Sequence, residues 1–208
     1  TAIHRVAEIL RSRRKHDPIV VVSAMAKVTD QLVAMGQPAA SGAAAGTLAL
    51  LPALKERHLA AAKSLLSPKV FTKIASKLEK TFLQLGEFLR GVAAVHELSP
   101  RSSDFLLSFG ELLSSQFIAP ALTELGLEAQ WVDSRECVIT DGTHTCARPQ
   151  AAETRQRAQA VIKPILAKHR IPVMGGFIAS SVDGVPTTLG RGGSDYTAAI
   201  IGGALGAE

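Results

Sequence analysis

The sequence predicts an α/β protein with a helical insertion, and three observations predict it. Ile19-Val20-Val21-Val22 is an unbroken apolar run of strand length, the mark of a strand covered on both faces as in parallel sheets. Short apolar segments alternate with helical patterns again from about residue 128 onward. Between these stretches, from Gly46 to about Gly126, no segment reads as a strand.

Taken in order, Ile3, Val6, Ala7, Ile9 and Leu10 predict a helix over residues 2–14, which Asp17-Pro18 ends. The strand at 19–22 runs into Ser23-Ala24-Met25-Ala26-Lys27-Val28-Thr29-Asp30, a small-residue turn that opens another helix. The C-terminal end of a parallel strand is where open α/β sheets place ligands. The Ala/Gly/Ser stretch at 39–46 reads as a flexible loop.

Leu48, Leu51, Leu54, His58 and Leu59 then predict one helix. A longer one carries Val70, Ile74, Leu78, Phe82, Leu85, Phe88, Leu89 and Val92. Phe105, Leu106, Phe109, Leu112, Leu113, Phe117 and Ile118 mark a third, which Pro120 is expected to kink or restart. Residues 40–98 read as an insertion that caps one edge of the sheet and forms a lobe over the site.

Beyond it, residues 128–132 and 137–140 read as strands separated by Asp133-Ser134-Arg135. Residues 152–168 form a helix with a kink point at Pro164, and 171–177 a strand. A turn near Val182-Asp183-Gly184, a glycine-rich loop and a last helix to about Gly206 follow. Gly202 and Gly203 within that helix cost about 1 kcal/mol each relative to alanine. Close packing on the sheet is expected to require them.

Composition narrows the function classes. With 208 residues, 47% hydrophobic and 20% charged, the chain can bury a sizeable core as one large domain or two small ones. No uninterrupted apolar stretch reaches membrane-spanning length. The net charge of +5 gathers at Arg11, Arg13, Arg14 and Lys15, where a helix C-terminus favours cations. Aromatics are 4% and do not interleave with basic residues, so neither nucleic acid nor membrane is an expected partner. Cys137 and Cys146 offer no disulfide framework, and His144 near Cys146 reads as a polar surface loop rather than a metal site. Reduced thiols and no secretory leader in these residues give a cytoplasmic expectation.

The chemistry-bearing segment is Pro186-Thr187-Thr188-Leu189-Gly190-Arg191-Gly192-Gly193-Ser194-Asp195-Tyr196. Glycines without side chains let backbone N–H groups approach an anion, and the following helix adds about half a positive charge at its N-terminus. Arg191 can fork onto a carboxylate or phosphate, and Ser194 reads as the helix N-cap. As a bare pattern the same residues also suit a plain turn. Glu111, beside Gly110 on an apolar helix face, is costly to bury without a cation, though it also suits a solvated position. Together, Glu111 for an ammonium and Arg191 for a carboxylate point to an amino-acid substrate.

Four segments resemble the aspartate kinases of the amino-acid kinase family. They are Val20-Val21-Val22-Ser23-Ala24-Met25 through Val28-Thr29, Phe109-Gly110-Glu111 with Leu113-Ser114-Ser115, Gly175-Gly176-Phe177, and Thr187 through Tyr196. The resemblance implies a three-layer α/β/α sandwich with a mainly parallel sheet. It implies transfer of the γ-phosphoryl of ATP, with Mg2+, to the β-carboxylate of L-aspartate, at the entry to lysine, threonine and methionine synthesis. By the same resemblance Ser23, Thr29, Glu111, Arg191, Gly192, Gly193 and Ser194 bind aspartate, and Asp195 orients catalytic lysines. Lys27 departs from the glycine usual in the family and reads as solvated rather than reaching phosphate.

Two further expectations concern extent. Relative to the family, residues 1–208 are expected to be a fragment, probing as an inactive binding domain by themselves, that lacks the first Lys-Phe-Gly-Gly-Thr-Ser strand, the ATP-binding half and the regulatory domains. The full-length protein is expected to be a homo-oligomer. A related kinase acting on glutamate or acetylglutamate, and a non-catalytic binding domain, are the alternatives.

Overall fold

The computed structural model describes residues 2–207; Thr1 and Glu208, the end of the last apolar run, lie outside them. Its centre is a parallel sheet of order β1-β4-β2, formed by β1 (Val20–Val22), β4 (Ile171–Gly175) and β2 (Ala129–Val132). Val20 lies opposite Val173 and Val22 opposite Gly175, while Trp131 pairs with Val173 from the other side. All five residues of β4 are buried. Side chains alternate across the sheet. Ile171, Val173, Val20 and Val22 pack with α1 (Ala2–Ser12) and α6 (Pro100–Glu124). Val21 and Met174 pack with α7 (Ala151–Leu166) and α8 (Gly193–Leu205). This is the three-layer α/β/α arrangement. β1 is an edge strand, so its residues are only half-buried despite being covered on both faces.

The sheet corrects the sequence reading in one respect. β3 (Ile139–Thr140), β5 (Ile178–Ser181) and β6 (Pro186–Thr188) form a second sheet of order β3-β5-β6. β3 pairs parallel with β5, and β5 pairs antiparallel with β6 across the Val182-Asp183-Gly184 turn. β5 and β6 were expected as turn and loop. The chain leaves β4 through Phe177, whose φ of 64° redirects it into the second sheet. Strands of three and four residues are too short for alternation to reveal.

The helical part also differs. α2 (Val28–Ala40), α3 (Ala44–Leu48), α4 (Leu51–Leu65) and α5 (Pro68–Val95) precede α6. Leu32 and Met35 of α2, Leu54 of α4, Leu78 and Leu85 of α5, and Phe109 and Leu113 of α6 share one core. Each such side chain, fully buried, contributes about 1.5–3 kcal/mol. The insertion therefore stacks behind α2 and α6 instead of roofing the site. It reaches the sheet edge through Lys77, whose Nζ lies 3.7 Å from the Trp131 ring centroid. The expected flexible loop at 39–46 is the end of α2, a tight turn at Ser41-Gly42 and the start of α3. Pro120 lies inside α6 without interrupting it. α6 is long and apolar enough by length and composition to cross a membrane, although Asp104 and Glu111 interrupt its apolar stretch, and it is mostly buried inside this fold.

The N-cap of α8 is Gly192, with a φ of 73°, so Ser194 sits inside the first turn rather than capping it. It ends at Gly206 (φ 72°), with the Ala207 N–H donating to the Gly202 carbonyl at 2.9 Å. Close packing does not account for the interior glycines. A Cβ at Gly202 would meet only Ala207, at 3.8 Å, and one at Gly203 would meet nothing within 4 Å.

Candidate active site

A cavity of about 440 Å³ opens where β1 and β4 end, beside the starts of α2 and α8. Ser23, Thr29, Glu111, Arg191, Gly192, Gly193, Ser194 and Asp195 all line it. Lys27, Asp30 and Phe177 line it as well. Ser23, Arg191 and Asp195 are exposed, whereas Glu111 is only 4% exposed. Two helices start at the cavity, and each N-terminus presents about half a positive charge.

Glu111 reaches the cavity because α6 crosses directly beneath the end of β1. Its Oε1 accepts the Ala24 N–H at 3.2 Å. Its Oε2 is buried and has no partner among the described residues. Burial pushes the carboxyl up to about 7, against the Ala24 bond that pulls it down. A buried carboxylate with a free oxygen is stabilised by an incoming cation. One turn further along α6, the Ser114 hydroxyl donates to the Ser23 carbonyl at 2.8 Å, tying the β1–α2 turn to the same helix.

The glycine-rich loop is held by backbone and hydroxyl bonds. The Leu189 N–H donates to the Phe177 carbonyl at 2.9 Å, and the Gly193 N–H to the Gly190 carbonyl at 3.1 Å. Thr197 Oγ1 accepts the Phe177 N–H at 2.9 Å and donates to the Gly193 carbonyl at 2.7 Å. The turn after β4 and the start of α8 are therefore one fixed unit. Opposite it, Lys27 precedes α2 with a φ of 64°, a left-handed conformation that glycine adopts without strain.

Phe177 and Asp30, which line the cavity, and Asp104 were not among the expected site residues. Phe177 was legible only as the end of Gly175-Gly176-Phe177, and Asp104 gave no signal. His144 does not share a ligand set with Cys146: its Nδ1 bonds the Asp104 carboxylate at 2.9 Å. Among the described residues no group of three His, Cys, Asp or Glu side chains is placed to hold a metal ion. Cys137 is buried, which pushes its thiol up to about 12, and Cys146 is exposed; neither is in a disulfide.

Comparison with known proteins identifies the family and the fold. The model of the amino acid kinase family matches residues 1–208. The chain is 34% identical over 207 residues to lysine-sensitive aspartokinase 3 of Escherichia coli, covering 100% of this chain and 44% of that one. It is 34% identical over 207 residues to bifunctional aspartokinase/homoserine dehydrogenase 2 of Arabidopsis thaliana, covering 99% of this chain and 22% of the relative. The crystal structure of E. coli aspartokinase III in complex with aspartate and ADP matches with a TM-score of 0.86 at 32% identity, over 99% of this chain and 44% of that one. Aspartate kinase of Clostridium acetobutylicum, 21% identical with a TM-score of 0.70, covering 99% of this chain and 42% of that one, shares the fold. The chain thus spans less than half the length of these relatives. With the family model matched over residues 1–208, the chain belongs to the amino acid kinase family.

Proposed function

We propose that the protein is an aspartate kinase and that residues 1–208 bind its amino-acid acceptor. The observation that carries this reading is the unpaired Oε2 of Glu111 inside a cavity that Arg191 also lines. L-Aspartate has one ammonium and two carboxylates. Glu111 suits the ammonium, while Arg191 and the N-termini of α2 and α8 suit the carboxylates. Relatives that share this chain's full span bear the name aspartokinase, and one structure holds aspartate and ADP.

In the proposed reaction a β-carboxylate oxygen of aspartate attacks the γ-phosphorus of ATP. The bond from that phosphorus to the bridging oxygen breaks, ADP leaves, and 4-phospho-L-aspartate forms. Mg2+ enters with the nucleotide as part of that substrate. A carboxylate nucleophile needs no general base, so catalysis rests on positioning and neutralisation of charge. Asp195, exposed in the first turn of α8, accordingly serves to orient neighbouring cations rather than to remove a proton.

Acetylglutamate suits the site less well, because its acetylated nitrogen carries no charge for Glu111. Glutamate keeps the ammonium and is separated from aspartate by one methylene. The test is ADP release by the full-length protein with L-aspartate, L-glutamate and N-acetyl-L-glutamate. Turnover with aspartate and background with the others is expected; turnover with glutamate and not aspartate overturns the assignment. Arg191→Ala removes charge-assisted bonds worth about 1.5–3 kcal/mol and is expected to weaken aspartate binding about tenfold to a hundredfold.

A further inference from the structure

We infer that Asp104 is a positioning residue that holds the Arg191 loop at a fixed distance from Glu111. Asp104 and Glu111 lie seven residues apart on α6, on one helix face and about 10 Å apart along the axis. Asp104 is 0% exposed, and every partner given for its carboxylate comes from outside α6. Oδ2 accepts from His144 Nδ1 at 2.9 Å and from the Thr145 N–H at 2.9 Å. Oδ1 accepts from the same N–H at 3.1 Å and from Thr188 Oγ1 at 2.5 Å.

These partners surround the base of the glycine-rich loop. Thr188 ends β6 and is followed directly by Leu189, Gly190 and Arg191. Its carbonyl accepts the Ala147 N–H at 2.8 Å, so the 144–147 segment and the loop base are paired. Cys146 lies against Gly190, where a Cβ would stand 3.2 Å from its Sγ. Thr145 has a φ of 71°, a strained conformation for a β-branched residue, which its bonds to Asp104 hold in place.

One rigid helix thus carries both the carboxylate facing the ammonium and the carboxylate that anchors the arginine loop. Asp104 touches no substrate; it sets the separation between the two recognition groups. This role rests on the proposed acceptor site.

The test uses steady-state kinetics of the full-length protein with Asp104→Asn, Thr188→Val and Thr188→Ser. Thr188→Val keeps the shape of the side chain and removes one bond, so it is expected to fold even where Asp104→Asn does not. The expected result is an aspartate KM raised about tenfold by Asp104→Asn and Thr188→Val, with the ATP KM within about twofold of wild type. Thr188→Ser, which keeps the hydroxyl, is expected to retain the wild-type aspartate KM, and the double variant Asp104→Asn/Thr188→Val to be no worse than Asp104→Asn alone. An unchanged aspartate KM in Thr188→Val, or equal rises in both KM values, overturns the role. Absence of aspartate turnover in the wild type instead overturns the function, and the variants are then read on the KM of the acceptor that is used.

Discussion

Gly176 packs so tightly on Ser194 that a Cβ at Gly176 would stand 2.5 Å from the Ser194 Cα. The turn after β4 and the first turn of α8 are therefore in backbone contact. Gly176→Ala must push the start of α8 out of the cavity. The expected outcome is a loss of about 1–3 kcal/mol in stability by denaturant titration. Aspartate affinity falls at least tenfold, because the Gly193-Ser194 backbone shifts with the helix.

Glu111 gives a prediction of the opposite sign for stability. Its ordinary value near 4.5 is raised to about 7 in the fold. The folded state therefore holds the proton more tightly than the unfolded chain. No stability is lost below about pH 4.5; the loss grows as pH rises and is complete above about pH 7, reaching about 3 kcal/mol. Glu111→Gln mimics the protonated carboxyl. At about pH 8 its Tm is expected to exceed that of the ligand-free wild type, and near pH 4.5 the two should coincide, as differential scanning calorimetry would show. The same variant should lose aspartate binding. A Tm at pH 8 below wild type would show that burial of this charge costs nothing.

On the proposed function, the same group sets the pH dependence of acceptor binding. Only ionised Glu111 pairs with an ammonium, so aspartate affinity should be constant above about pH 7 and weaken up to tenfold per unit below it. Calorimetry in buffers of different ionisation enthalpy should detect proton release on aspartate binding at about pH 6 and almost none at about pH 8.

Lys27 holds a left-handed backbone conformation at the start of α2. Glycine adopts that conformation at no steric cost. Lys27→Gly is expected to raise stability by about 0.5–1 kcal/mol in chemical denaturation. A decrease would mean that the lysine side chain makes compensating contacts.

Much of the fold and of the site was legible along the chain. Period-3.6 spacing marked α4, α5 and α6, since a helix long enough to bury one face repeats its pattern several times. The apolar runs at 19–22 and 171–177 marked β1 and β4. The motif residues Glu111 and Arg191 were recognisable by chemistry, as a buried-face carboxylate and a cation among glycines. β5 and β6 were not legible, because strands of four and three residues are too short to show alternation, and the N-cap at Gly192 was hidden by Ser194, a residue type that caps helices more often.

Sequence by itself determined that the protein carries a carboxylate on an apolar helix face and a cation among glycines, and on which kind of element each one rides. Only the tertiary structure decided that they share a cavity, that Glu111 keeps an oxygen unpaired there, and that Asp104 braces the opposing loop. Local periodicity reports which face of a helix is apolar. It carries no information on which distant backbone will lie against that face, and burial, pKa and hydrogen bonding all follow from that contact.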